Sequence, residues 1–127
     1  MRIHFLSLFA IAAAVSCVQA ADPDYKITDI PAPDGVVLEV GGMDWMPDGR
    51  LMMCTRRGEI WSFHSEKAEW KQFASGLHEP LGLVAGEDDS EIYVLQRPEL
   101  TRITDTDKDG IAERFESFGK GWGYTGN

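Results

Sequence analysis

GMDWMPDGRLMMCTRRGEIWSF, residues 42–63, and GLVAGEDDSEIYVLQRPELTRI, residues 82–103, are one pattern written twice. Sliding the chain against itself by 40 residues places Gly42 on Gly82, Met43 on Leu83 and Asp48 on Asp88 without a gap. Met52-Met53-Cys54 then falls on Ile92-Tyr93-Val94, Arg57 on Arg97, Glu59 on Glu99, Ile60 on Leu100 and Phe63 on Ile103. The repeated unit is a Gly-led strand, an acidic turn, an apolar strand, an Arg-containing turn and a further strand. A period of about 40–50 residues made of four short strands is the pattern of a β-propeller blade.

The texture on either side agrees. Short apolar runs occupy Val36–Val40, Leu51–Thr55, Glu59–His64, Trp70–Ala74, Glu91–Gln96, Leu100–Thr104 and Arg114–Phe118. They are rich in β-branched, aromatic and Met side chains and too short for helices. Pro47-Asp48-Gly49, Arg57-Gly58 and Asp109-Gly110 mark turns between them. No window shows apolar residues at helical spacing, so the predicted class is all-β, with almost no helix. Residues 21–35 hold three of the six prolines and read as an extended lead-in. Residues 36–127 then supply two blades of four antiparallel strands and, from Gly119, the start of a third. A propeller closes with four blades or more. The expectation is therefore an N-terminal piece of a longer protein, or a truncated reading frame.

Residues 1–20, MRIHFLSLFAIAAAVSCVQA, have the organisation of a secretory signal peptide. Arg2 is the basic n-region, Phe5 to Val15 the apolar run, and Val18-Gln19-Ala20 the small-residue cleavage signal, with cleavage after Ala20 or Ala21. The run is shorter than the ~18–20 apolar residues that span a bilayer. An anchor helix and a lipoprotein signal acylated at Cys17 are the alternatives. Export places the mature chain in the periplasm or outside the cell. The net charge of −9 becomes about one unit more negative once Arg2 is removed. Without clustered Lys and Arg, an acidic chain is a poor partner for phosphate, which argues against nucleic acid. At 43% hydrophobic and 26% charged residues the composition is globular rather than disordered. Cys54, among Leu51, Met52 and Met53, reads as a buried thiol, because the other cysteine, Cys17, lies in the signal. Two cysteines without clustered histidines make a zinc site improbable.

The sharpest chemical motif is DTDKDGIAERFE, residues 105–116. Asp105, Asp107 and Asp109 stand at positions 1, 3 and 5, Gly110 at 6 and Glu116 at 12, the full pattern of a calcium loop. A hard cation takes six to eight oxygens, and alternate residues of a tight loop turn inward to supply them. The expected ligands are Asp105, Asp107, Asp109, the Ile111 carbonyl and Glu116. Pro98 upstream and Gly119, Gly121 and Gly123 downstream forbid the flanking helices of an EF-hand, so the loop would join two strands. A solvated acidic hairpin turn is the alternative.

Arg57 and Arg97 occupy the same turn of successive blades. They could present guanidinium groups to an anionic cofactor near a propeller channel. The plainer alternative pairs each with its neighbouring acid, Glu59 or Glu99. His78, in Gly76-Leu77-His78-Glu79-Pro80, is a candidate general base for alcohol oxidation. Met43, Met46, Met52, Met53, Trp45 and Trp61 read as blade core rather than a cofactor box. The sequence has no phosphate-binding Gly-rich loop, nucleophile elbow or CxxCH haem motif.

MCTRRGEIW (53–61), GLHEPLGL (76–83) and IYVLQRPELTRI (92–103), with the Asp105–Gly110 loop, resemble soluble quinoprotein sugar-dehydrogenase-like propellers. The stretch 92–103 with the Asp105–Gly110 loop also resembles large exported planctomycete proteins of the "membrane-bound dehydrogenase" type, which are glucose/sorbosone dehydrogenase-like. The resemblance covers residues 35–127. It implies a six-bladed propeller, pyrroloquinoline quinone (PQQ) as cofactor, a sugar or other alcohol as substrate, and often a cytochrome c domain further along the chain. Two functional classes follow: a calcium-dependent dehydrogenase, or a non-catalytic calcium-stabilised propeller that binds carbohydrate or protein.

Overall fold

A computed structural model describes residues 25–123; the predicted signal segment with Cys17, and residues 124–127, lie outside them. The chain divides at Ile30 and Pro31 into two compact units, and both sheets belong to the unit beginning at Pro31. Among the described residues there is no helix, so none is long and apolar enough to cross a membrane. Eight strands form two antiparallel sheets in simple up-and-down order. The first sheet is β1 (Val40–Trp45), β2 (Arg50–Thr55), β3 (Ile60–His64) and β4 (Glu69–Ala74). The second is β5 (Gly82–Ala85), β6 (Glu91–Leu95), β7 (Glu99–Thr104) and β8 (Arg114–Lys120). This is the expected all-β arrangement, two blade-like sheets of four strands that do not close a ring.

The core lies where the sheets pack face to face. Pairing of Cys54 with Ile60 puts both on one side of the first sheet, with Met52 on the same side. These three and Phe73 are fully buried against Leu83, Ile92, Val94 and Ile103 of the second sheet. β1 and β5 meet backbone to backbone. A Cβ on Gly42 would come within 3.0 Å of the Gly82 Cα and the Leu83 nitrogen, so a side chain there would press β1 and β5 apart. Asp44 bridges the same pair of strands, its Oδ2 accepting from the Ala85 N–H at 3.0 Å.

Three expectations need correction. Val36–Val40 is not a strand: Val37 is 55% exposed and β1 starts only at Val40. The strand that pairs with β2 is the glycine-containing one, because close approach to β5 selects small residues over an apolar run. Second, the repeat is gapless in sequence but not in space. The β1–β2 turn spans residues 46–49 and the β5–β6 turn 86–90, whereas the β2–β3 turn spans 56–59 and the β6–β7 turn 96–98. One turn gains a residue and the next loses one. Met52 therefore corresponds to Tyr93 and Cys54 to Leu95, one position on from the sequence match. Third, Gly119 belongs to β8, where it pairs with Leu100, and does not begin a third sheet.

The methionines and tryptophans divide. Met46, Met52 and Met53 are core, but Met43 and Trp45 are each 56% exposed on β1. Phe63 on the opposite side stacks on Trp70 with centroids 4.8 Å apart, and Trp70 Nε1 donates to the Pro31 carbonyl at 2.9 Å. Pro31 is thereby tied to the first sheet.

Candidate metal centre

The turn between β7 and β8 gathers four carboxylates. Oxygens of Asp105, Asp107, Asp109 and Glu113 all lie within 4.8 Å of one another. Ligands on opposite sides of a calcium ion are about 4.6–5.2 Å apart, twice its 2.3–2.6 Å bond; around magnesium they are about 4.0–4.2 Å apart.

The backbone makes this cluster. Asp105, 2% exposed at the end of β7, accepts from the Gly110 N–H at 2.7 Å and the Asp109 N–H at 3.2 Å. Gly110 takes φ +88°, a conformation open to glycine, and closes the loop over that carboxylate. Asp107 accepts from Asp109 N, Asp109 from Ile111 N at 2.7 Å, and Glu113 from both the N–H and hydroxyl of Thr106. Asp107, Asp109 and Glu113 each give one oxygen to these bonds and keep the second for a ligand. Lys71, reaching over from β4, donates to the Asp109 carbonyl and brings one positive charge to four negative ones.

Glu116 is not brought to this group. β8 begins at Arg114, and Glu116 stands in register opposite Arg102. Arg102 grips it with Nε at 3.0 Å and Nη2 at 2.7 Å, while Arg114 holds its other oxygen at 2.6 Å. The Arg102 hydrogen bond, opposed by some desolvation and aided by Arg114, holds its carboxyl below the ordinary value. A helix would curl position 12 back to the ion, but three residues of strand carry it roughly 10 Å away. Glu113, at position 9, takes the acidic place. Its signal in the sequence is the every-second-residue spacing 105, 107, 109, 111, 113. Ile111 lies in the same turn with its side chain 46% exposed.

The loop also joins the sheets. The Ala112 N–H donates to the Phe73 carbonyl of β4, and the Asp105 N–H to the Ser90 carbonyl, both at 2.8 Å. It opens on a polar cleft of about 470 Å³ lined by Arg50, His64, Lys71, Asp89, Asp105 and Asp109, among others. His64 Nδ1 and Asp89 Oδ1 are buried beside it without a hydrogen-bond partner among the described residues.

His78, Arg57 and Arg97 collect at the other end of the strands. His78 N donates to Gln96 Oε1 at 2.7 Å and Arg97 N to the His78 carbonyl at 3.1 Å. Gly58, beside Arg57, accepts from Leu77 N. The arginines are ion-paired, but not to the neighbours expected from sequence. Arg57 and Arg56 share Glu39, at 3.4 and 3.1 Å, and Arg97 holds Glu79 at 2.5 Å. Glu59 instead accepts from Trp61 Nε1 and Glu99 from the Thr101 hydroxyl, their own strand neighbours two residues on. His78 is exposed, and no side chain among the described residues hydrogen-bonds its ring. β7 separates this end from the carboxylates, and its six residues span roughly 20 Å. An ion in the loop is too distant to act on a ligand held by His78 or either arginine.

Compared with protein-family models, curated proteins and solved structures, the chain gives no match.

Proposed function

We propose that this chain forms calcium-pinned blades of an exported β-propeller, in which the ion has a structural role. The observation that carries this reading is the β7–β8 turn, where three aspartates and Glu113 converge while the same loop hydrogen-bonds β4 of the other sheet. Four like charges within one turn repel; a divalent cation removes the repulsion and ties the two sheets. Export follows from the signal-like residues 1–20, and N-terminal sequencing of the secreted protein tests it: a start at Met1 or an acylated Cys17 would overturn it. Calorimetric titration of the mature chain with calcium, beside an Asp107→Ala, Asp109→Ala double variant, tests the site. Equal uptake by both, or none by either at millimolar calcium, removes it.

The dehydrogenase reading rests on the resemblance. In it the propeller carries PQQ, oxidises a sugar or another alcohol, and passes electrons to a cytochrome c domain. Arg57, Arg97 and His78 share one end, which favours that end for an anionic cofactor, but both arginines are already paired with carboxylates. The pairing of both arginines favours the other reading, a non-catalytic calcium-stabilised propeller that binds carbohydrate or protein. Absorbance and activity after PQQ loading decide between the two.

A further inference from the structure

We propose that the polar cleft between the two sheets is a binding site for a neutral sugar, held through its hydroxyl groups by His64 and Asp89. This rests on the carbohydrate-binding reading and gives it a place and a ligand class.

The cleft lies where the core would otherwise continue. Alternate residues of β2, β3 and β4 face the second sheet, and Cys54, Ile60 and Phe73 are fully buried on that face. Toward the other end of the strands the same face turns polar. Arg50, Ser62, His64, Glu69 and Lys71 follow on it, set by the pairs Arg50–His64, Ser62–Lys71 and His64–Glu69. Polar side chains on a face that looks into a neighbouring sheet give up hydration and need partners in return. All five line the cleft of about 470 Å³, together with Asp89 from the β5–β6 turn. The volume is that of a small-molecule site, but the wall is polar.

The second sheet serves as a control. Its strands match those of the first through the one-residue offset in β6 and through equivalent bulges, at Phe73 in β4 and at Phe118 in β8. The positions matching the polar wall are then Glu91, Arg102, Thr104, Arg114 and Glu116. There the charged groups satisfy one another: Arg102 and Arg114 clasp Glu116, and the Tyr93 hydroxyl donates to Glu91 at 3.2 Å. In the cleft the set does not close. Arg50 Nε donates to Asp48 and Nη2 to the Asp89 carbonyl, both at 2.6 Å, and Lys71 donates to the Asp109 carbonyl. His64 Nδ1 and Asp89 Oδ1 are left buried with no hydrogen-bond partner among the described residues.

These two atoms select the ligand. A carboxylate oxygen accepts a hydrogen bond, and an imidazole nitrogen donates or accepts according to its tautomer. A hydroxyl group serves either one. An anion would meet Asp89 with like charge, while Arg50 and Lys71 are already engaged. An organic cation would meet those two positive groups instead. The lining as a whole carries four basic side chains against five acidic ones, close to balance. A neutral ligand with several hydroxyl groups pairs with both atoms and buries no net charge.

The test titrates the mature chain with D-glucose, D-galactose and maltose, and with D-glucuronate and spermidine as anionic and cationic probes, while NMR follows the rings of His64 and His78. The expected result is that a neutral sugar at millimolar concentration shifts the His64 ring and leaves His78 unmoved. Asp89→Ala should weaken that binding about tenfold or more, as should His64→Phe, each removing a hydrogen bond to the ligand. The His64 ring is read in the unaltered protein, so a variant that fails to fold does not decide the matter. A sugar that shifts His78 alone, or binds both folded variants as tightly as the natural chain, overturns the inference and leaves the carbohydrate reading to another surface. Tighter binding of glucuronate or spermidine than of any neutral sugar also overturns it. No response to any sugar at millimolar levels overturns both, with water alone in the cleft. The titrations run in calcium and in chelator, and binding in either medium counts, so the metal reading is judged separately.

Discussion

Glu113 and Glu116 are three residues apart and do opposite work. Glu113 joins the carboxylate cluster of the β7–β8 turn, and Glu116 is clasped by Arg102 of β7 and Arg114 of β8. Glu113→Gln should weaken calcium uptake about tenfold, the loss of one charged ligand being worth around 1.4 kcal/mol; Glu116→Gln should leave the titration unchanged. The reverse order would restore the ligand set expected from sequence. Glu116 has its own signature in acid. Its folded pKa lies below the ordinary 4.5, chiefly through the Arg102 hydrogen bond. The stability it contributes is complete above 4.5 and is lost as pH falls through the lowered folded value. Glu116→Gln should therefore flatten the acid side of the unfolding profile and make the pH 7 protein less stable. An unchanged acid slope would show that the ion pair is no stronger folded than unfolded. The three aspartates and Gly110 were legible in the sequence because loop ligands follow local spacing. Glu113 as the fourth carboxylate of the cluster was not, because position 12 folds back on the loop only if a helix follows, and β8 is a strand set by pairing with β7.

At the level of elements, the β1–β5 contact discriminates between two glycines that look alike in the repeat. Gly42→Ala should cost about 1–3 kcal/mol, since backbone rather than a flexible side chain stands in the way. That is roughly 4–8 °C of melting temperature per kcal/mol in a domain this small. Gly82→Ala in the same chain should be nearly neutral, because only Leu95 lies nearby at 3.6 Å. Equal effects would mean that β1 and β5 do not meet this closely. The same elements show where sequence reading stops. β2, β3, β4, β6, β7 and β8 were visible as apolar runs with marked turns, since each presents one or both faces to a neighbour. β1 and β5 are marked by glycines and were visible only through the repeat; what they need is proximity of backbone, which leaves no apolar pattern. Val36–Val40 has the pattern and no partner, so it stays a loop. The one-residue offset of β2 against β6 escaped because two compensating changes in turn length cancel in a gapless match.

For the molecule as a whole, the metal loop should make stability depend on calcium. With a dissociation constant in the extracellular range of ~10⁻⁴–10⁻³ M, 10 mM calcium should add about 1.4–2.7 kcal/mol. This corresponds to a rise of roughly 6–20 °C in melting temperature, reversed by chelator and smaller with magnesium. Cys54 offers a sharper probe of how the ion acts. Its thiol is fully buried at the sheet–sheet contact, its Sγ 3.7 Å from the Pro80 carbonyl, and burial raises its pKa above the ordinary value. A thiol reagent can attack the thiolate only after the sheets part or the chain unfolds. The acidic loop belongs to the second sheet and touches the first, through Ala112 to Phe73 and Asp109 to Lys71. If parting the sheets also dismantles the site, bound calcium must be released first, and opening becomes rarer by the factor one plus the ratio of calcium to its dissociation constant. Labelling of Cys54 in 10 mM calcium should then be about 10–100 times slower than in chelator, and the Asp107→Ala, Asp109→Ala variant should show no difference. Calcium that binds and raises the melting temperature while leaving the Cys54 rate untouched would mean that the sheets separate with the loop intact. The ion would then stabilise the second sheet alone, and the pinning of one blade to the next would fall to the Met52, Ile60, Phe73 and Ile92 packing.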